Sequence, residues 1–315
     1  MAYYSGTASS FTALQTAIEN ACVTEGWALT SGILSKDGIF IKLTSSSTDR
    51  INIEGGNGQS GSTLTTPCPR YAKIYNPTNV SAVAIVFPIN YEIHIFADNE
   101  VFCVINYNTD YYQQLSFGQS DMPEIGGSGN WFSGGSGGSL VENSIYASVF
   151  SNGLSASGFN IGNSTYAPLI AGFPGGVGKD TTNSTYLNYF ISTAIDSVSS
   201  WNADCGDDNG DFYGPHYCAN LLCSSPNTFN NSSILIPIKF LINRASNGVT
   251  PVAQLKNIRF LMIDNLDPGE IITIGSEEWK IYPQYRKNTA SRSTNASTQP
   301  THSDTLGVAI RYTGP

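Results

Sequence analysis

The segment that most limits what this chain can fold into is Tyr91-Glu92-Ile93-His94-Ile95-Phe96, then Asp98-Asn99, then Val101-Phe102-Cys103-Val104-Ile105. Two β-forming runs joined by an Asp/Asn pair predict a hairpin. The first arm alternates between apolar and polar residues. The second is apolar at every position, so both of its faces need cover. Such a strand belongs at the centre of a domain, and a chain of 315 residues is long enough to build layers around it.

The flanking sequence supplies candidates for those layers. Ser9 or Ser10 can cap a helix that stops near Glu25-Gly26, with Phe11, Leu14, Ile18 and Cys22 on one face. Strands are expected over 27–34, 39–44 (after the turn Asp37-Gly38), 50–54 and 81–89, with a Gly/Ser-rich loop at 55–62. Residues 126–139 read as a glycine-serine segment, which the pair Trp131-Phe132 converts from a free tether into a docked loop. A second helix is expected over 185–201, with Phe190, Ile191, Ala194, Ile195 and Val198 as its apolar stripe. Strands return at 233–243, 257–264, 270–274, 279–282 and 306–312, the last expected to pair back into the same sheet system. The fold class is therefore α+β, predominantly β: an N-terminal helix packed on antiparallel sheet, with a long loop-rich insertion. Three regions follow: 1–119 (helix and β-rich core), 120–230 (insertion) and 231–315 (a β-rich return that completes the core).

Charge narrows the function. Lys and Arg total 15 against 24 Asp and Glu, a net charge of -9. With so few basic residues, no nucleic-acid partner is expected. Charged residues make up 12% of the chain, about half of the usual roughly 25%. Neutral polar groups take their place and are cheaper to desolvate than ions, which suits a subunit covered by neighbours or an extracellular β-protein. No run approaches the about 18 apolar residues of a spanning helix, so no membrane insertion is expected. The start Met1-Ala2-Tyr3-Tyr4-Ser5-Gly6 lacks the pattern of a secretory leader, so synthesis in a cytoplasm is expected. The six Asn-X-Ser/Thr sequons then reflect composition.

Motifs that carry chemistry are sparse. Gly56-Asn57-Gly58-Gln59-Ser60-Gly61 has dinucleotide-loop spacing, but the residues after it make a poor helix, and a hairpin loop fits better. Gly175-Gly176-Val177-Gly178-Lys179-Asp180 lacks the outer glycine and the hydroxyl of a phosphate loop. Asp207, Asn209 and Asp211 have half of a calcium-loop pattern, with a solvated acidic turn as the default. Cys205, His216, Cys218 and Cys223 lack paired zinc spacing; among these cysteines a disulfide is an alternative to metal. Cys22 and Cys103 read as small core residues. His94, His216 and His302 read as structural or solvated. Asp98 and Glu100 flank a turn and read as keeping it soluble rather than as a glycosidase pair. No catalytic residue, cofactor or metal is expected. Tyr107, Tyr111, Tyr112, Trp131, Phe132, Tyr213 and Tyr217 lie in Asn/Gly/Ser/Asp-rich segments. They are a candidate contact surface, or else they pin long loops onto their own domain.

A family resemblance rests on ordered segments. Tyr4-Ser5-Gly6-Thr7-Ala8 leads into the helix and Glu25-Gly26-Trp27. The central hairpin is followed by Tyr111-Tyr112-Gln113-Gln114-Leu115-Ser116-Phe117-Gly118, and the chain closes on Gly307-Val308-Ala309-Ile310-Arg311-Tyr312. Over its first third and last fifth, the chain resembles tail-associated structural proteins of long-tailed double-stranded DNA bacteriophages. The resemblance implies a non-enzymatic virion component, made in the host cytoplasm and placed at neck, tail or baseplate. It would contact other virion proteins and form a homo-oligomer. A receptor- or glycan-binding module at the tail tip, using the 107–112 and 131–132 aromatics, is the alternative reading. A polysaccharide-cleaving enzyme is disfavoured for want of a carboxylate pair.

Overall fold

A computed structural model of the chain describes residues 1–47, 49–69, 71–76, 84–120, 127–134, 136–137, 189–195, 198–202, 234–244, 248–263, 265–283 and 306–315. Strands are numbered in chain order. The first sheet has seven antiparallel strands in the order β1 (Ala2–Ala8), β9 (Ile89–Ile95), β10 (Glu100–Tyr107), β11 (Tyr111–Gln119), β12 (Asn130–Gly134), β14 (Tyr189–Ile195), β15 (Val198–Asn202). The second runs β13 (Ser136–Gly137), β8 (Ala72–Tyr75), β5 (Arg50–Gly56), β4 (Ile39–Ser45), β3 (Ile33–Lys36), β2 (Ala28–Thr30). A third follows the order β16 (Ile236–Arg244), β17 (Gly248–Met262), β20 (Leu306–Tyr312), β19 (Glu277–Pro283), β18 (Ile271–Ile274). A small hairpin, β6 (Gly58–Ser60) and β7 (Thr63–Thr65), stands apart. The fold is α+β and mainly antiparallel β, as expected.

The central hairpin organises the rest. β10 lies between β9 and β11, and every one of its residues except Asn106 is buried. One face of β10 carries Val101, Cys103, Ile105 and Tyr107 into the main core, with Ile93, Leu115, Phe117 and Phe132 from neighbouring strands. The second sheet contributes Leu34, Ile39, Ile41, Ile51, Ile53 and Ile74 to the same core. The helix α1 (Phe11–Thr24) touches β1 and β9 of the first sheet and β4 and β5 of the second, so it closes one side of this pair. Ser10 caps it by accepting from the Ala13 N–H at 3.1 Å, and Phe11, Leu14, Ile18 and Cys22 are all buried. No helix among the described residues is long and apolar enough to cross a membrane.

Several expectations need correction. Residues 27–34 are not one strand, because Ser31 and Gly32 both take positive φ and fold a hairpin turn between β2 and β3. In the expected strand over 81–89, residues 84–88 are not extended into a sheet and β9 starts at Ile89; 81–83 lie outside the described residues. Within the expected helix over 185–201, residues 189–195 and 198–202 form the strands β14 and β15, and 185–188 lie outside the described residues. The dense β-branching of Ile191, Thr193, Ile195 and Val198 favours extension, and the exposed edge of β12 offers β14 a partner. The Trp131-Phe132 segment does dock, but as the strand β12, with all five of its residues buried. The GxGxxG stretch is the end of β5 and the first arm and turn of the β6–β7 hairpin, as expected. The final strand pairs with β17 and β19, so it completes a third sheet and not the first.

Of the candidate contact residues, three are buried within their own domain, which fits the alternative that they pin their segments in place. Tyr107 is buried and stacks its ring on Tyr111 at 5.6 Å. Trp131 and Phe132 are fully buried. The Phe132 ring lies 5.5 Å from that of Trp201, whose indole N–H donates to the Thr66 carbonyl at 2.9 Å. Tyr111 and Tyr112 are half-buried, and Tyr213 and Tyr217 lie outside the described residues. These aromatics have large apolar areas, and a strand between two layers gains more by burying them than by displaying them. Phe132→Ala should therefore lower stability by about 3–5 kcal/mol in urea unfolding. A loss below about 0.5 kcal/mol, typical of surface positions, would contradict this placement.

Candidate functional site

The face of the first sheet turned away from the main core carries a row of polar groups. Register places Tyr3 of β1 beside His94 of β9, and His94 beside Phe102 of β10. Glu92 lies two residues from His94 on that same face, since strand side chains alternate. The third sheet answers with Lys280 and Tyr282 from β19 and Tyr312 from β20. The two sheets meet through two polar nodes.

The first node centres on Glu92. Its Oε2 accepts from Tyr3 Oη at 2.8 Å and Tyr282 Oη at 2.6 Å, and pairs with Lys280 Nζ at 2.6 Å. Lys280 also donates to Tyr3 Oη at 3.0 Å and sits over the rings of Tyr3 and Tyr312. His94 Nε2 lies 2.7 Å from Tyr282 Oη. The Tyr282 hydroxyl has one proton and gives it to Glu92, so it accepts from His94. That fixes His94 as the neutral Nε2–H tautomer. Burial opposes charge on Glu92, but Lys280, Tyr282 and Tyr3 outweigh it and hold the carboxyl below its ordinary range. Burial likewise opposes charge on Lys280, and the bonds to Glu92 and Tyr3 reverse that and raise it. His94 has no such compensation: burial depresses it from 6.5 to about 3, with Glu92 only partly opposing.

The second node centres on Glu100, at the start of β10 and fully buried. Its carboxylate accepts from the backbone N–H groups of Lys256 at 3.0 Å and Asn257 at 2.9 Å, and from Asn257 Nδ2 at 2.9 Å. These donors belong to a bulge. β17 pairs Arg259 with Pro237 and next Gln254 with Lys239, so residues 255–258 stand opposite Ile238 alone. Arg259 Nη1 bonds the other side of the bulge, at the carbonyls of Leu255, Lys256 and Ile258 at 3.0, 2.6 and 2.8 Å. Its guanidinium stands over the Trp279 ring. A carboxylate thus holds the bulge by its N–H groups and a guanidinium by its C=O groups. Asn257 Nδ2 also donates to Asp98, at 2.9 and 3.1 Å to its two oxygens. Gly118 lies opposite Glu100, where a side chain would run into the backbone of Asn99 and Glu100. Burial raises Glu100 to about 7 against the pull of Lys256 and Asn257, and the Asp98 charge adds to the rise.

His94, expected to be structural or solvated, is buried and bonded to Tyr282. Glu100, expected to keep its turn soluble, is instead buried between sheets, and of the two acids only Asp98 keeps partial exposure. Tyr3, Asn257, Arg259, Lys280, Tyr282 and Tyr312 were missed. The available signal was alternation: Glu92/His94 and Lys280/Tyr282 each put two polar residues on one face of a strand whose other face is apolar. Cys22, Cys68 and Cys103 are buried, and burial raises the Cys22 and Cys103 thiols far above the ordinary thiol range. Cys205, Cys218, Cys223 and the acidic stretch around Asp207 lie outside the described residues. Comparison with protein-family models and with curated proteins finds no match to the chain.

The two nodes respond to pH with opposite signs. Stability linked to His94 is complete above pH 6.5 and is lost as pH falls toward about 3. Stability linked to Glu100 is complete below pH 4.5 and is lost as pH rises through about 7. Between pH 6.5 and 4.5 the two slopes oppose each other, each reaching up to about 1.4 kcal/mol per pH unit. His94→Phe leaves the Glu100 slope alone. Its urea midpoint should rise on acidification across that window while the parent protein stays nearly level. Parallel profiles would contradict the assignment.

Proposed function

We propose that the chain is a non-enzymatic structural subunit of a bacteriophage particle, tail- or neck-associated, acting through contacts with other virion proteins and with copies of itself. The observation that carries this reading is how the titratable groups are used. Glu92, His94, Glu100 and Lys280 are each engaged in holding one sheet to another, and Arg259 braces the bulge within β17. Asp98 and Glu100, the pair closest to a glycosidase arrangement, both bind Asn257. Groups occupied in this way support a scaffold rather than a reacting centre. The low overall charge and the sequence resemblance point the same way. At the edge of the third sheet, β18 leaves Ile271 and Ile274 exposed, surface of the kind that subunit contacts cover.

The tail-tip glycan-binding alternative drew on the aromatics at 107–112 and 131–132. With Tyr107, Trp131 and Phe132 buried, three of those side chains are withdrawn from any ligand. The subunit reading stands ahead of it for that reason.

Antibody labelling of intact particles under electron microscopy tests the proposal. Label at a fixed position on the neck or tail, with the chain retained through washing, is the expected result. A chain absent from washed particles would contradict it. So would purified protein that cleaves host polysaccharide and loses that activity on a single Asp or Glu change.

A further inference from the structure

Two side chains of β11 lie on the same face of the first sheet as Glu92, His94 and Glu100 but belong to neither node. Register sets Gln114 opposite Val104 and Ser116 opposite Phe102, the β10 residues that face Glu92 and His94 on their other flank. Gln114 is 1% exposed and Ser116 not at all. Gln114 Oε1, Gln114 Nε2 and Ser116 Oγ nevertheless meet no hydrogen-bond partner among the described residues. Turning the amide over changes nothing, because both of its ends are unmet. Buried amides and hydroxyls are seldom left so, since each has given up its bonds to solvent. Val104 and Phe102 are apolar and buried, so the β10 side chains opposite offer neither donor nor acceptor. On the other flank, Ser133 of β12 lies opposite Ser116 and is also fully buried.

We propose that Gln114 and Ser116 form a buried hydration site, in which one ordered water bridges the Gln114 amide and the Ser116 hydroxyl and takes the Ser133 hydroxyl as a third contact. Strand geometry puts residues two apart on one face at about 7 Å. A water bonding at about 2.8 Å on each side closes that gap once the two side chains lean toward it. Three contacts are usual for an internal water, and a water without polar neighbours would not be retained. The chemistry of the groups selects this ligand. They supply amide donors, an amide acceptor and hydroxyls that serve as either, and none of them is charged, so nothing here calls for an ion. Their full burial leaves room for a small neutral ligand only. The site is independent of the proposed virion role: it concerns how polar groups of the first sheet are satisfied inside one chain.

Oxygen-17 relaxation dispersion of water, measured on the full-length protein, tests this, because its amplitude counts internal waters that stay bound while the protein tumbles. Two variants remove the site from either end. Gln114→Met keeps the length of the side chain and deletes both amide groups. Ser116→Val replaces the hydroxyl with methyl groups and fills the space beside it. Each should lower the amplitude by about one water per molecule. The double variant should lower it by the same amount as either single one, because the two side chains share that water. If one of the variants does not fold, the other decides alone. An amplitude unchanged in either folded variant would overturn the proposal, and so would losses that add in the double variant, which would mean separate waters and no bridge.

Discussion

The third sheet is held to the rest of the protein by a carboxylate inside a strand irregularity. A bulge leaves backbone groups unpaired by its own ladder, and burying them unsatisfied would cost about 1–3 kcal/mol each. Here Glu100 meets the amide side and Arg259 the carbonyl side. The bulge is therefore not a flaw in β17 but the feature that lets β17 reach a residue 156 positions earlier in the chain. The Glu92 node extends the same logic along the β1–β9 edge, where Tyr3, Lys280 and Tyr282 share one carboxylate oxygen. Taken together, the nodes put ionic groups where two apolar sheet faces would otherwise leave orientation free. A buried ion pair contributes little net stability, and its contribution is direction.

This use of charge reframes the composition. Only 12% of the residues are charged, yet Glu92, Asp98, Glu100 and Lys280 all bond across the seam between the first and third sheets. The described exterior carries charged groups such as Glu277 and Arg311, but the low charge of the chain leaves much of its polar surface to neutral groups, whose desolvation costs less than that of ions. A surface of this kind is compatible with being covered by neighbours, and that compatibility underlies the proposed assembly role. The same scarcity of ions makes each one in the seam consequential, because few neighbouring charges offset a change in one of them.

The parts of the fold legible in the sequence were those set by local pattern. The capped helix with Phe11, Leu14, Ile18 and Cys22 needed only its period and its Ser10. The hairpin of β9 and β10 needed only alternation, an Asp/Asn turn and an apolar second arm. The errors fell where pairing partners decide. Residues 190–198 suit a helical stripe and a β-branched strand about equally, and the free edge of β12 settled it. Trp131 and Phe132 sit in glycine-rich surroundings that look like surface, although the β5 and Trp201 neighbours that bury Phe132 are remote in sequence. The seam was least legible. Glu100 and Asn257 acquire meaning only once the bulge brings them together, and no spacing in the chain encodes that contact.

The account rests on the seam making the first and third sheets one cooperative unit. Native-state hydrogen exchange under increasing denaturant, read on peptides from β9–β10 and from β19–β20, measures this directly. In the parent protein both sets should open with the same free energy. In Glu100→Ala, which leaves the Lys256 and Asn257 amides without their acceptor, both should fall together. Exchange of β19–β20 at a much lower free energy, with β9–β10 unaffected by the substitution, would show that the third sheet folds on its own and contradict the account.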